Sequence, residues 1–268
     1  MKRLSAIVLL AVLSGCATGP IIDRTYTAIG QDSRVQFLIL HYTVIDFPTS
    51  LRVLTKQRAS SHYLVRDSPV EIYQLVDENR RAWHAGVSFW KGRTSLNDSS
   101  IGIEIVNEAR DDPPDGYYPD YPPAQIDAVI ALVKKIVAEH KIPPDHVLGH
   151  SDIAPQRKQD PGPRFPWKRL ADEGLVLWPD ATRVAERKLE YEKTLPDIDW
   201  FQERLARVGY AVPRNSELDE ATVNVFVRLQ MKYRPALYDG IPDAETAAIL
   251  DVLTSPSTSS SSSPPAKQ

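Results

Sequence analysis

The side chains best suited to metal or acid–base chemistry are six histidines: His41, His62, His84, His140, His146 and His150. No HExxH stretch occurs, so the usual helical zinc spacing is absent. His146 and His150 are four apart, but Pro143-Pro144 and Gly149 argue against a helix there. A metal site would therefore be assembled from distant segments. His41 and His150 each stand at the C-terminal end of an apolar, strand-like run, where side chains of neighbouring strands converge. Glu104 is a further candidate. It sits mid-strand on the face opposite Ile101, Ile103 and Ile105, and an unpaired buried carboxylate is costly.

The elements that must position these groups follow from periodicity. Val35 to Leu40 is an apolar run suited to a buried strand, with His41 at its end. Residues 62–66 and 71–76 read as a second and a third strand, and Ser100 to Asn107 alternates as a fourth. After a proline-rich loop, 111–123, Ile126, Val129, Ile130, Val133, Ile136 and Val137 form one helical stripe behind Pro122-Pro123. A short strand at Val147-Leu148 leads into a polar, proline-rich loop from His150 to Pro163. This order predicts a mixed α/β domain over 35–180. Charged residues 181–196 read as a linker, and three short helices fill 197–253. The Ser/Pro-rich tail, 254–268, has the composition of a disordered segment.

Composition narrows the partners. The 268 residues carry 32 Lys+Arg against 35 Asp+Glu, a net charge of −3, with no basic cluster, so nucleic acid is not an expected partner. The one cysteine, Cys16, excludes an intrachain disulfide framework. It follows the cationic start Met1-Lys2-Arg3 and the apolar stretch Leu4 to Gly15. As a helix that stretch covers about 18 Å, short of the roughly 30 Å hydrocarbon core, which suits a secretory signal better than a membrane span. Leu13-Ser14-Gly15-Cys16 resembles a bacterial lipobox, with Cys16 as the acylated residue. Ala17 in place of Asp resembles an outer-membrane address. The expected organisation is a signal peptide over 1–16, a tether over 17–34 and a periplasmic protein held to the outer membrane by lipid.

Five stretches occur in order: Phe37-Leu38-Ile39-Leu40-His41-Tyr42-Thr43, Ala82-Trp83-His84-Ala85-Gly86, Asn97-Asp98-Ser99-Ser100-Ile101-Gly102-Ile103-Glu104, Gly149-His150-Ser151-Asp152-Ile153-Ala154-Pro155 and Arg157-Lys158-Gln159-Asp160-Pro161-Gly162-Pro163. Together they resemble the zinc-dependent N-acetylmuramoyl-L-alanine amidases of the type-2 family, relatives of the peptidoglycan-recognition proteins. The resemblance implies a mixed central sheet flanked by helices, one Zn²⁺ per chain, and peptidoglycan or muropeptides as substrate. It implies His41, His150 and Asp160 as metal ligands, Glu104 as general base and Lys158 as the group stabilising the transition state. Two imidazoles and one carboxylate leave a fourth tetrahedral position open, as catalytic zinc sites require. His84 and Asn97 are implied as substrate contacts, with loop support as the alternative. Phe201-Gln202, Leu205, Gly209-Tyr210, Phe226, Gln230 and Asp239-Gly240 resemble a peptidoglycan-binding module. A non-catalytic recognition protein and a zinc peptidase acting within the stem peptide are the competing readings. A complete ligand set with Glu104 favours an enzyme over the recognition protein, and the zinc site alone leaves the peptidase open.

Overall fold

A strand apolar on both sides must be covered on both sides. In the computed structural model, which describes residues 20, 22–110 and 116–255, that strand is β1 (Phe37–Tyr42), every residue of it buried. It lies between two parallel neighbours, β6 (Ser100–Ile105) and β7 (Val147–Gly149). β2 (Tyr63–Val65) adds in parallel to β6, and β3 (Ile72–Gln74) pairs antiparallel with β2, giving a mixed sheet of order β3-β2-β6-β1-β7. A separate hairpin joins β4 (Phe89–Trp90) to β5 (Arg93–Thr94).

Register decides which side chains meet. Leu40 pairs with Ile103, Ile39 with Gly102 and His41 with Glu104. Side chains paired in register share a face, and successive residues alternate. One face therefore carries Leu38, Leu40, Ile101, Ile103 and Ile105. It packs on α2 (Pro123–His140) through Ile126, Val129, Ile130, Val133 and Ile136. Each such side chain stabilises by about 1.5–3 kcal/mol when fully buried. The other face carries Phe37, Ile39 and His41 beside Gly102 and Glu104.

The part of that second face around Phe37 and Ile39 is covered by three C-terminal helices. α6 (Ile198–Val208), α7 (Glu220–Tyr233) and α8 (Ala244–Thr254) contribute Phe201, Leu205, Phe226, Leu229 and Leu250 to one apolar cluster with Phe37, Ile39, Leu148 and Ile153. Within the module two buried glutamines do parallel work. The Gln202 side-chain amide donates to Asn215, Glu217 and Thr222, ahead of the Asp219 cap of α7. The Gln230 amide donates to Ile241 and Thr246, ahead of the Asp243 cap of α8, and its carbonyl accepts from Gly240 N. Gly240 has φ +76, and a Cβ there would sit 2.7 Å from Val223.

Several helices differ from the sequence expectation or fall where it names no element. α1 (Phe47–Lys56) occupies a stretch where no helix is expected. Its signals are present, however: the Asp46 side chain caps Thr49 N, and Phe47, Leu51 and Leu54 fall on one stripe. Residues 181–196, expected as a linker, hold α5 (Ala181–Tyr191), capped by Asp180. None of its residues is buried, so no apolar stripe announces it. Arg187 pairs with Asp251 and Lys188 with Glu245, joining it to α8. His150 opens a one-turn helix, α3 (His150–Ile153), where a loop is expected, and α4 (Trp167–Asp172) follows. The lipobox with Cys16 lies outside the described residues, as does the tail beyond Ser255. No helix among the described residues is long and apolar enough to cross a membrane.

Candidate functional site

A cavity of about 400 Å³ opens at the C-terminal ends of β1 and β6, lined by His41, Trp83, His84, Glu104, His150, Lys158 and Asp160 among others. A larger cavity, about 660 Å³, lies beside the N-terminal ends of the same strands and is lined by charged groups such as Arg34, Glu78 and Arg80. Size does not mark the chemistry. The smaller cavity holds the residues singled out from sequence.

His41, His150 and Asp160 are brought together from β1, α3 and the loop that follows it. His41 Nδ1 lies 3.0 Å from His150 Nδ1 and 2.9 Å from Asp160 Oδ2, and His150 Nδ1 lies 3.1 Å from the same oxygen. All three residues are buried. The outer hydrogen bonds assign the tautomers. His150 Nε2 faces the carbonyl of Ala85 at 3.0 Å and lies 3.3 Å from the Arg157 guanidinium, whose Nη2 donates to Ala85 O and Val87 O. Assigned on the carbonyl, which only accepts, Nε2 carries the proton and Nδ1 is bare. Ser100 donates its hydroxyl proton to Leu96 O and accepts from His84 Nε2. His84 Nδ1 is then an acceptor and receives His41 Nε2–H, leaving His41 Nδ1 bare as well.

Three acceptors therefore converge with no proton among them, an arrangement that a cation completes. Tetrahedral ligands held at about 2.0–2.1 Å from zinc stand roughly 3.3 Å apart, close to the separations found here. Burial, then the neighbouring His150, lowers the His41 pKa to about 4, consistent with a neutral ring.

Glu104 sits beside His41 in register. The residue is half-buried, lines the cavity and makes no hydrogen bond to another described residue. Burial, reinforced by Asp160 and opposed by Lys158, raises its pKa to about 8. Lys158 lines the same cavity and forms no ion pair with a described residue.

His84 reaches the cavity, but its ring hydrogen-bonds to His41 and Ser100. Asn97 does not line this cavity. Its Oδ1 accepts from His84 N and Ala85 N, which is the loop support given as the alternative to substrate contact. Two residues escape sequence reasoning. Gly102 lies under the His84 ring, where an added Cβ would stand 2.5 Å from Cγ; a glycine inside a strand is the available signal. The Arg157 guanidinium donates to Ala85 O and Val87 O, holding the carbonyl that orients His150. His62 supports the fold by accepting from Gly102 N and bonding Arg80 O.

Comparison with known proteins agrees with this geometry. The N-acetylmuramoyl-L-alanine amidase family model matches residues 31–163, and a peptidoglycan binding domain model matches 194–250. The chain is 43% identical over 270 residues to N-acetylmuramoyl-L-alanine amidase AmiD of Escherichia coli (strain K12), covering 94% of this chain and 98% of that one. A structure of AmpDh3 from Pseudomonas aeruginosa in complex with anhydromuramic pentapeptide superposes with a TM-score of 0.82 at 42% identity, covering 87% of this chain and 96% of that one. The Escherichia coli AmiD complex with anhydro-N-acetylmuramic acid-L-Ala-D-gamma-Glu-L-Lys gives 0.78 at 42% identity, covering 87% and 93%.

Proposed function

The chain belongs to the N-acetylmuramoyl-L-alanine amidase family, and from that premise we propose that His41, His150 and Asp160 hold one zinc ion while Glu104 and Lys158 act on the substrate. The enzyme is an amidohydrolase of peptidoglycan, cleaving the amide between N-acetylmuramic acid and L-alanine. The observation that carries the zinc reading is the convergence of three buried acceptors with no proton between them. When bound, zinc supplies Lewis acidity, polarising the amide carbonyl and making water acidic enough to attack near neutral pH.

The chain's own groups do the rest. Ala85 O and His84 fix the two imidazoles so that each presents Nδ1. Glu104, in its ionised form, accepts a proton from the attacking water. The C–N bond breaks, and Glu104 returns that proton to the departing amine of L-alanine. The Lys158 ammonium, in no ion pair with a described residue, lines the cavity where it can meet the negative oxygen that develops on the carbonyl. A digest of muropeptides by the purified chain, read by mass spectrometry, tests the assignment. Loss of the lactyl-alanine bond, abolished by chelation and restored by stoichiometric zinc, is the expected result. Undiminished cleavage in a metal-free sample overturns the zinc reading.

We further propose a periplasmic place in wall turnover, with Cys16 lipidated and the protein anchored to the outer membrane. The support is the lipobox-like Leu13-Ser14-Gly15-Cys16 after a short apolar stretch. Cys16→Ser is expected to move the protein to the soluble fraction, and unchanged membrane fractionation sinks the anchor.

A further inference from the structure

His150 enters on α3, a single turn of four residues, far too short to hold its shape alone. What fixes the turn is the Asp152 carboxylate, 1% exposed. Its Oδ2 accepts from Gly149 N at 2.8 Å, closing the turn from which His150 departs. The same oxygen receives Lys232 Nζ at 2.7 Å, and Oδ1 receives the Tyr210 hydroxyl at 2.7 Å. Both partners come from the C-terminal module: Lys232 from α7, and Tyr210 just after α6. Lys232 is 6% exposed, and its ammonium also lies 4.3 Å from the centre of the Trp167 ring.

The contact continues along the ligand-bearing loop. The Arg228 guanidinium of α7 donates to Pro155 O, and the Gln156 amide donates to Ala221 O. Ile153 and Ala154 share an apolar cluster with Phe226 and Leu229. Asp152, Ile153, Ala154, Pro155 and Gln156, which make these contacts, all fall between His150 and Asp160. A turn cap needs no lysine, since a backbone amide and a hydroxyl can satisfy a carboxylate. A buried pair between two elements instead demands one relative position, because breaking it leaves an uncompensated charge.

We propose that the C-terminal module braces the metal site, with Lys232 and Tyr210 clamping Asp152 so that Asp152 acts as a positioning residue for His150. This rests on the reading of His150 as a zinc ligand. It gives the module a role at the catalytic centre that is separate from any hold on the wall.

The test uses the full chain. Zinc affinity is measured by competition with a chromogenic chelator, kcat and KM on an anhydro-muropeptide, and folding by circular dichroism. Partners of metal ligands typically change metal affinity by about 10–100-fold, so Lys232→Met is expected to weaken zinc roughly tenfold and lower kcat with KM unchanged. Lys232→Arg, which keeps the cation, should recover most of both. Tyr210→Phe removes one hydroxyl and should weaken zinc by about threefold on the same scale. If Lys232→Met fails to fold, Tyr210→Phe decides. Folded variants with wild-type zinc affinity and kcat, whatever their melting temperature, overturn the brace. His150→Ala is the control: if it keeps wild-type zinc affinity, the metal assignment has failed instead.

Discussion

Among the described residues, two places bring a histidine within reach of two further ligand-type groups, and they are opposite in kind. At the C-terminal ends of the strands, His41, His150 and Asp160 are all buried, and their facing atoms are acceptors only. At the N-terminal ends, Glu78, Glu139 and His140 also cluster, but donors are already there. Glu78 accepts from the Tyr63 hydroxyl and from His140 Nε2, and His140 Nδ1 bonds Ser33 Oγ at 2.7 Å. Lys135 stands 3.6 Å from Glu78. The second cluster is electrically complete and the first is not. A metal site is recognised by the proton it lacks, more than by its residue types.

The largest effect expected from this contrast is on metal content. His41→Ala and His150→Ala should drop bound zinc from about one per chain to near zero and take turnover to the detection limit. His140→Ala should leave both unchanged. Zinc stoichiometry by atomic absorption reads the outcome, and a His140→Ala chain that lost its zinc would break the comparison.

Next in size is the proton-transfer group. Glu104→Gln keeps shape but cannot accept a proton, so kcat should fall by about 10²–10⁴-fold with zinc retained. Near-normal turnover would reduce Glu104 to a strand residue, and lost zinc would move it into the metal shell.

The smallest effect sharpens the contrast most. Glu104, without donors, has its pKa raised to about 8 by burial and then Asp160. In the metal-free chain the stability from its protonated form is full below the ordinary value of 4.5 and is lost as pH rises through about 8. Glu78 is the reverse. Burial raises its pKa, but the Tyr63 and His140 hydrogen bonds outweigh that and lower it. Its stability contribution is present above 4.5 and lost as pH falls through the depressed value. At pH 8 Glu104→Gln should therefore stabilise the metal-free chain by roughly 1–3 kcal/mol. Glu78→Gln should destabilise it by about 1 kcal/mol. Urea unfolding at pH 5 and 8 reads both, and equal signs would undo the comparison.

Much of this was readable from the chain alone. The strand at Val35 to Leu40, the alternation ending at Glu104 and the stripe of α2 are periodic, and periodicity is local. The family resemblance likewise lies in short contiguous words such as Gly149-His150-Ser151-Asp152. α5 was not legible, because a helix held by ion pairs to α8 buries no stripe of its own. α1 was legible in principle, through its Asp46 cap and the Phe47, Leu51 and Leu54 spacing, and shows how easily a short amphipathic run passes for a loop.

The sequence by itself determined which residue types exist for this chemistry and which strands would carry His41 and Glu104, since both follow from alternation along single segments. Only the tertiary structure decided that β1 and β6 lie side by side in the register that places those two groups on one face. It alone decided that both imidazoles present a bare Nδ1, because that depends on Ala85 O and His84, which reach them from another loop. The docking of α7 against the loop behind His150 is of the same kind. Such contacts join residues tens of positions apart, and their geometry is set by packing, which no local pattern records.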